Sequence, residues 1–350
     1  MNRSTDIGSI AGGLRRGAFV AAAAALAVLS ACEKESPTEP PPPPGPAWRQ
    51  EAPVNAPRFK AGALGWNGRI YLVGGGGSDI PEALPLGVEV YDPAGTSWEF
   101  HEDLRLFTLT GTVFVPYDGK LYAASGEHPG GFSRGVQVFD PAKMTIETVG
   151  VQLAEAHKDG GGVALPDGIL VIGGRSTPGT STTLVERIDP VARTVVNETR
   201  LPYPLQDFSA AYHDGLVFVF GGQDGRTASR VDSVAIYDPV AKSWEVVDNA
   251  LPLGWEHPRA AVVDGRILVF SGKGEAGMIN GEFDPLARRW SPLSSIPGAR
   301  SESAVAVLDG DTWIISGFVV SGEDELLTPD VFVYDISAEE DSSDAARPIP

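Results

Sequence analysis

Glycine-rich segments, five histidines and one cysteine are the residues of this sequence whose types could support chemistry. Gly74–Gly77 follow a short apolar run, as glycines do where backbone amides cradle a phosphate. No helix is predicted after them to supply further amide donors, and the segment SGKG at 271–274 lacks the spacing of a nucleotide-binding loop. The histidines show no paired metal-ligating spacing. They are His101, His128, His157, His213 and His257. We therefore expect no phosphate site, no metal and no cofactor.

The single cysteine, Cys32, stands at the end of an apolar segment. Arg15 and Arg16 precede fifteen uncharged residues, a run too short to span ~30 Å of hydrocarbon and typical of a secretory signal. A lone cysteine in an exported chain cannot form an internal disulfide and needs another role. Residues 29–32, LSAC, resemble the lipobox of bacterial lipoproteins. The resemblance implies that residues 1–31 are a lipoprotein signal peptide and that Cys32 is lipidated.

A charged and proline-dense segment follows the cysteine. We expect residues 32–46 to comprise the lipidated cysteine and an extended polyproline linker that spaces a domain from the membrane. Glu33 is not aspartate, which by resemblance to Gram-negative lipoproteins favours the outer membrane over the inner one. The formal net charge is −19, and a surface of that sign repels nucleic acid. The sequence thus predicts an exported protein, lipid-anchored in the bacterial cell envelope, with no nucleic-acid partner.

The glycine doublets recur six times at spacings of 45–51 residues, which marks an internal repeat. Their last glycines are Gly75, Gly126, Gly174, Gly222, Gly272 and Gly317. Six or seven residues before each stands an Asn-Gly or Asp-Gly dipeptide, which favours a two-residue hairpin turn because both residues tolerate positive φ. The turn glycines are Gly68, Gly119, Gly168, Gly215, Gly265 and Gly310. Each repeat therefore begins with two hairpin-connected strands.

Each repeat continues with an aromatic or aliphatic residue followed by aspartate. The aspartates are Asp92, Asp140, Asp189, Asp238, Asp284 and Asp335. Five of them precede proline, which predicts a turn because proline restricts φ and the aspartate side chain accepts a local amide bond. An apolar residue stands six positions after each of the first five and predicts a fourth strand. The sixth repeat lacks that residue, so we expect Trp48 and its neighbours, 47–51, to supply the missing strand.

Over residues 48–335 these units resemble the kelch repeat, which is one blade of a β-propeller. The resemblance implies an all-β fold, a six-bladed kelch-type β-propeller over residues 47–336. In it the N-terminal strand completes the last blade and closes the ring. Second strands such as 169–172 lack polar alternation, as expected for strands covered on both faces. Residues 337–350 are expected to be an acidic, disordered tail.

Propellers of this family present ligands at one end of the central shaft, at the start of the innermost strand and just after the glycine doublet. Counting eight residues back from each hairpin glycine selects Lys60, Gly111, Gly160, Asp207, His257 and Glu302. One residue past each doublet stand Gly76, Glu127, Arg175, Gln223, Lys273 and Phe318. The expected ligand-binding residues are the polar members: Lys60, Asp207, His257, Glu302, Glu127, Arg175, Gln223 and Lys273. The alternative is a narrow, hydrated shaft lined with solvated polar groups.

Two functions remain open at this point. The first is a monomeric, noncatalytic envelope lipoprotein whose propeller binds a protein or a glycan. The second is a periplasmic sugar epimerase or mutarotase similar to the kelch-type sialic acid epimerases, with Glu302 and either His257 or Arg300 as an acid/base pair. Arg58 and Arg300 are otherwise expected to be structural, because they match an arginine that kelch repeats often carry before the first strand. The copper chemistry of galactose oxidase-like kelch enzymes needs a cysteine inside the propeller, and the only one is Cys32.

Overall fold

A computed structural model describes residues 47–77, 87–270, 272, 280–298, 300–321 and 324–339. The predicted signal peptide, Cys32, the proline-rich linker and Lys273 lie outside these residues, as does the tail from residue 340 onward. The described residues all belong to one compact unit, 44–350. Their regular secondary structure is almost entirely β-strand, which confirms the all-β fold class.

Six antiparallel sheets of four strands each make up most of the fold. Sheet 1 contains Gly62–Trp66, Arg69–Val73, Val88–Tyr91 and Trp98–His101. Sheet 2 contains Val113–Tyr117, Lys120–Ala124, Gly135–Asp140 and Thr145–Gln152. Sheet 3 contains Gly161–Leu165, Gly168–Ile172, Leu184–Asp189 and Thr194–Arg200. Sheet 4 contains Ser209–His213, Leu216–Phe220, Val234–Asp238 and Ser243–Val247. Sheet 5 contains Arg259–Val263, Arg266–Phe270, Gly281–Asp284 and Arg289–Pro292. Sheet 6 contains Ala304–Leu308, Asp311–Ile315, Val331–Tyr334 and, from the other end of the chain, Trp48–Glu51.

Short strands pair in the loops that precede and follow the first two strands of several sheets. These pairs are Glu127–His128 with Gly131–Phe132, Arg175–Thr177 with Thr180–Ser181, and Leu205–Gln206 with Gln223–Asp224. A three-stranded sheet contains Arg300–Ser301, Phe318–Ser321 and Asp324–Leu327. The short strands hold the loops at one end of the main sheets in a fixed shape.

The hairpin turns form where the Asn-Gly and Asp-Gly dipeptides predict them in five of the six sheets. Both turn residues there have positive φ, as in Asn67 (50°) and Gly68 (73°). Sheet 3 differs because Leu165 pairs with Gly168, so the turn residues are Pro166 and Asp167 and the glycine begins the second strand. Proline restricts φ to about −65°, which suits the first position of an ordinary turn.

The predicted aspartate turns are present after the third strands. Asp238 shows the pattern: its Oδ1 accepts hydrogen bonds from the amides of Val240 (2.8 Å) and Ala241 (2.9 Å). Asp92, Asp140, Asp189, Asp284 and Asp335 likewise accept from the amide two residues on. The turn chemistry therefore repeats in all six sheets. After Asp335, residues 336–339 form one helical turn at the start of the segment predicted to be a tail.

Six hydrophobic clusters of the described residues each join two sheets that follow one another, and one of the six joins sheet 6 to sheet 1. Aromatic pairs reinforce them, as where the rings of Tyr91 in sheet 1 and Trp313 in sheet 6 lie 5.6 Å apart. Large aromatic side chains bury the most apolar area per residue, so packing between sheets is the main source of stability.

The first strand of the described chain belongs to the last sheet. Trp48–Glu51 pairs antiparallel with Val331–Tyr334, and Trp48 lies opposite Tyr334 with ring centroids 4.8 Å apart. The Trp48 Nε1 donates a hydrogen bond to the Ser294 carbonyl at 3.0 Å. The N-terminal strand thus covers an edge of sheet 6 that would otherwise be unpaired.

Candidate functional site: a charged cluster at one end of a central cavity

The first strands of all six sheets line a central cavity of about 520 Å³. Its wall combines small residues such as Ala63, Ala164 and Ala260 with the larger Phe114 and the polar Ser209 and Tyr212. The charged side chains that line the cavity belong to residues at or just before the starts of the first strands: Lys60, Asp159, Asp207, His257 and Arg259.

Six residues with left-handed backbone conformation mark this end of the first strands. Each stands two residues before a first strand and has φ between 53° and 66°. They are Lys60, Gly111, Asp159, Asp207, His257 and Glu302. Hydrogen bonds link them from sheet to sheet, since the amide of Asp207 donates to the Asp159 carbonyl (2.8 Å) and that of His257 to the Asp207 carbonyl (2.7 Å). The amide of Lys60 donates in the same way to the Glu302 carbonyl at 2.9 Å.

The third member of this series corrects the sequence prediction from Gly160 to Asp159. The prediction counted eight residues back from Gly168, but Gly168 is not a turn residue in sheet 3. Counting from Asp167, the second residue of the real turn, gives Asp159, which has φ of 58°. Pro166 before the Asp-Gly dipeptide was the signal that could have revealed the shift.

Lys60 lies at the centre of what we term the charged cluster: Lys60, Asp159, Asp207, His257, Glu302 and Arg175. Its Nζ is 2.6 Å from Asp159 Oδ1, 3.0 Å from Asp207 Oδ1 and 3.9 Å from Glu302 Oε1. Arg175 Nη2 lies 2.6 Å from Asp159 Oδ2 and 3.4 Å from Asp207 Oδ2. Every member of the charged cluster except Arg175 has the left-handed backbone described above. This conformation costs a non-glycine residue of order 1 kcal/mol, and it brings these side chains together.

His257 bridges two carboxylates of the charged cluster. Its Nδ1 is 3.1 Å from Asp207 Oδ1 and its Nε2 is 3.1 Å from Glu302 Oε1. A neutral imidazole donates from only one nitrogen, so only the doubly protonated ring can donate to both carboxylates. The arrangement therefore joins sheets 4, 5 and 6 through one side chain.

Electrostatics favour the charged forms of Lys60, Asp207 and Asp159. Burial disfavours the charge of Lys60, but the carboxylates of Asp207, Asp159 and Glu302 outweigh burial and raise the pKa of the Lys60 ammonium above its usual range. Burial also works against the Asp207 carboxylate, but hydrogen bonds from His257 and Lys60 and their charges bring the pKa of Asp207 well below its usual range. The pKa of Asp159 is lowered in the same way, mainly by Lys60.

The remaining predicted site residues surround the charged cluster. Glu127 Oε2 lies 3.0 Å from Lys158 Nζ, and Lys158 in turn contacts Asp159 at 3.1 Å. Gln223 accepts a hydrogen bond from Gln206 at 2.8 Å and donates to Glu256 at 3.0 Å. The structure thus brings Lys60, Asp207, His257, Glu302 and Arg175 into one network and attaches Glu127 and Gln223 to its edge.

Of the eight predicted residues, Lys273 alone lies outside the described part of the chain. Sequence reasoning missed Asp159, Lys158 and Arg259.

Arg58 and Arg300 each stand two residues before a member of the charged cluster, but their side chains bond to residues outside it. Arg58 is fully buried, contacts Glu89 at 2.5 Å and donates to the carbonyls of Gly74 and Gly87. Arg300 Nη2 lies 2.8 Å from Asp330 Oδ2, and its guanidinium stacks on Phe332. These contacts hold the loops that carry the cluster. The structure therefore gives Arg300 an ion pair away from Glu302, the residue with which an epimerase would pair it.

Within the described residues no group of three or more His, Cys, Asp or Glu side chains has the arrangement of a metal site. The described part of the chain also contains no helix that is both long and apolar enough to cross a membrane.

Comparison with known proteins finds one family motif and several relatives of low identity. Residues 204–249 match the Kelch motif. The chain is 24% identical to alpha-scruin of Limulus polyphemus over 299 residues, 77% of this chain and 32% of that protein. It is 24% identical to Kelch-like protein 15 of Danio rerio over 70% of this chain and 35% of the relative, and 27% identical to Kelch-like protein 40 of Xenopus laevis over 37% and 21%. The chain thus spans about a third or less of the length of these relatives. The Kelch motif and the similarity to these relatives support a kelch-repeat protein.

Proposed function

We propose that the six sheets are the blades of one closed six-bladed propeller. Two observations support a closed ring: the hydrophobic clusters between successive sheets include one between sheets 6 and 1, and the Lys60 amide donates to the Glu302 carbonyl. In this proposal Trp48–Glu51 is the outer strand of the last blade and joins the two ends of the ring.

We further propose that the propeller is a noncatalytic module that binds a protein at the charged cluster. The observation that carries this proposal is the convergence of charged side chains from several sheets at one end of the cavity. Aromatic residues stand around them: Phe59 and Phe318 lie 5.1 Å apart, and Lys158 Nζ lies 5.4 Å from the centre of the Phe132 ring. Arginine and aromatic side chains are enriched at the centres of protein interfaces.

A double charge reversal, Arg175→Glu with Glu127→Lys, tests the binding proposal. Both side chains are partly exposed, 27% and 41%, so a partner can reach them. We expect the protein that cross-links to the wild-type chain in intact cells to be recovered about tenfold less with the variant, because reversed rim charges oppose the partner's own. Quantitative mass spectrometry of the cross-linked products measures the loss.

The matched control swaps an ion pair at the opposite end of sheet 3, Arg187→Glu with Asp167→Lys. Arg187 and Asp167 contact each other, and Asp167 is exposed in the hairpin turn. We expect this control to retain the wild-type cross-links. Equal recovery with both double variants would contradict a protein site at the charged cluster, and loss of glycan binding instead would point to a carbohydrate ligand.

We propose that the propeller is a monomer tethered in the bacterial cell envelope, in the outer membrane, through lipid on Cys32. Two features support this proposal. The first is the lipobox-like segment 29–32, and the second is that the first strand begins at Trp48, just after the predicted linker ends at residue 46. Dual or triple acylation adds about 0.8 kcal/mol of membrane affinity per buried methylene, enough to hold a small propeller durably.

Replacing the cysteine tests the tether. We expect Cys32→Ser to abolish incorporation of an alkyne-labelled fatty acid and to leave the signal peptide attached, because the thiol is the group that is acylated. A gel of labelled cells, read by fluorescence and by apparent mass, measures both effects, with Ser30→Thr as a control that keeps the thiol. Labelled Cys32→Ser protein would refute the lipid assignment.

A further inference from the structure

Arg259 places a positive charge on the wall of the central cavity. It is the first residue of the first strand of sheet 5, two positions after His257. Its Nε donates to the Ser303 carbonyl at 2.8 Å, and its Nη1 donates to the Pro258 carbonyl at 3.0 Å. It also lines the cavity together with the apolar side chains of the first strands. The guanidinium is thus oriented by backbone carbonyls and borders the cavity.

The ionic environment of Arg259 differs from that of the other cations at this end of the cavity. Lys60 and Arg175 each lie within 4 Å of at least two carboxylates, whereas among the described residues no carboxylate oxygen lies within 4 Å of the Arg259 guanidinium. Burial lowers the pKa of Arg259, and the more distant carboxylates of Glu302, Asp207 and Asp159 only partly offset this effect. Arg259 is partly exposed at the cavity, and a guanidinium that borders a cavity with no carboxylate in contact can accommodate an anion by charge-assisted hydrogen bonds.

The neighbouring carboxylates do not take that role because each already contacts another nitrogen-bearing side chain. Asp159 is bound by Lys60 and Arg175, Asp207 by Lys60 and His257, and Glu302 by His257. A guanidinium has five N–H donors, and the hydrogen bonds of Arg259 within the described residues use only two of its three nitrogens. The Nη2 group therefore retains donor capacity for a carboxylate.

The shape and lining of the cavity define the rest of the ligand. A volume of about 520 Å³ is within the range of pockets that enclose small organic molecules. The wall along the first strands is formed mainly by Ala, Gly, Val and other apolar side chains, with Ser209 and Tyr212 among them, and ligand pockets of this kind combine apolar walls with a few polar groups. A carboxylate at Arg259 would leave an apolar body to lie along this wall.

We propose that the central cavity binds a small amphipathic monocarboxylate, whose carboxylate pairs with Arg259 and whose hydrocarbon body occupies the apolar part of the cavity. The site extends into the cavity from the end that carries the charged cluster, since Lys60, Asp159, Asp207 and His257 also line the cavity. Titration with small probes tests this proposal without a protein partner, so its failure is distinguishable from failure of the protein-binding proposal.

Decanoate, decanol and acetate are the probes that test this proposal by isothermal titration calorimetry. Decanoate carries both the carboxylate and the chain, decanol only the chain, and acetate only the carboxylate. We expect the wild-type protein to bind decanoate at least about tenfold more tightly than it binds decanol or acetate. Decanol lacks the charged hydrogen-bonding group, and acetate lacks the chain that fills the cavity.

Variants separate the charge from the cavity. Arg259→Met is expected to weaken decanoate about tenfold and to leave decanol within about twofold of wild type. Ala260→Leu keeps the arginine but fills the cavity, and we expect it to weaken both long-chain probes. Arg200→Met, which removes an exposed arginine bonded to Thr183 Oγ1 at 3.2 Å, is the matched control and should bind as wild type does.

Two results would overturn the proposal. One is wild-type protein that binds decanoate no more tightly than decanol. The other is a folded Arg259→Met variant, judged by its melting curve, with wild-type affinity for decanoate. If Arg259→Met does not fold, the wild-type comparison and Ala260→Leu decide the question, because undiminished decanoate binding by Ala260→Leu also contradicts a ligand in the cavity.

Discussion

Replacing Glu89 by glutamine is expected to destabilise the fold by about 3–5 kcal/mol, because it leaves the Arg58 guanidinium buried without its counter-ion. Both side chains have no exposed surface, and they contact each other at 2.5 Å. Glu89 also accepts hydrogen bonds from the amides of Asn55 (2.7 Å) and Ala56 (3.1 Å), so the carboxylate holds the loop before the first strand of sheet 1. Equilibrium unfolding in urea measures the loss.

Glu99→Gln is the matched control for this prediction. Glu99 lies in the same sheet, its side chain is 76% exposed, and it contacts His101 at 3.4 Å. Exposed ion pairs contribute about 0–1 kcal/mol, so we expect this variant to unfold close to wild type. If Glu89→Gln and Glu99→Gln lose the same stability, the buried pair does not hold the loop as we argue.

The same buried arrangement recurs in sheet 3 with a histidine in place of the arginine. His157 Nε2 lies 2.9 Å from Glu186 Oε2 and Nδ1 lies 2.6 Å from the Gly173 carbonyl, as Arg58 contacts Glu89 and the Gly74 carbonyl in sheet 1. Burial opposes ionisation of Glu186, but the hydrogen bonds from His157 and from two backbone amides lower its pKa. The recurrence shows that the pair is a feature of the repeat rather than of one loop.

Deleting residues 47–51 is expected to lower the free energy of unfolding by about 3 kcal/mol or more, since truncating one buried tryptophan alone costs about that much. Trp48 is buried between sheets 5 and 6, where its ring lies 6.0 Å from Phe270 and 4.8 Å from Tyr334. The deletion also exposes the edge of Val331–Tyr334, which favours aggregation. Differential scanning calorimetry and light scattering measure the two effects.

A deletion of the same length in the linker, residues 40–44, is the control. These five prolines carry no amide donors and no side chain that needs a partner, so we expect the melting temperature to remain unchanged. An equal melting temperature for the 47–51 deletion would show that the strand does not contribute to the stability of the fold. The proposed ring closure would then be wrong.

Local sequence determined most of the repeat. The Asn-Gly and Asp-Gly turns form because those residues tolerate positive φ, and the aspartate turns form because a side chain and an amide two residues apart can bond without help from the rest of the fold. The apolar second strands, and the strand that begins at Trp48 and completes the last sheet, were likewise predictable from the repeat pattern. Each of these features depends on residues close together in the chain or on a pattern that repeats.

The tertiary structure decided how the charged residues of the central cavity pair. Local sequence accounts for one correction, since Pro166 moved the turn of sheet 3 by one residue and put Asp159 rather than Gly160 into the charged cluster. Repeat spacing selected Lys60, Asp207, His257 and Glu302 as one set, but it did not show which of them contact each other. Lys60 and Asp207 are 147 residues apart, and the distance between their side chains is set by packing between sheets. The ion pairs of Lys60 and the position of Arg259 at the cavity likewise depend on how the six first strands lie relative to one another.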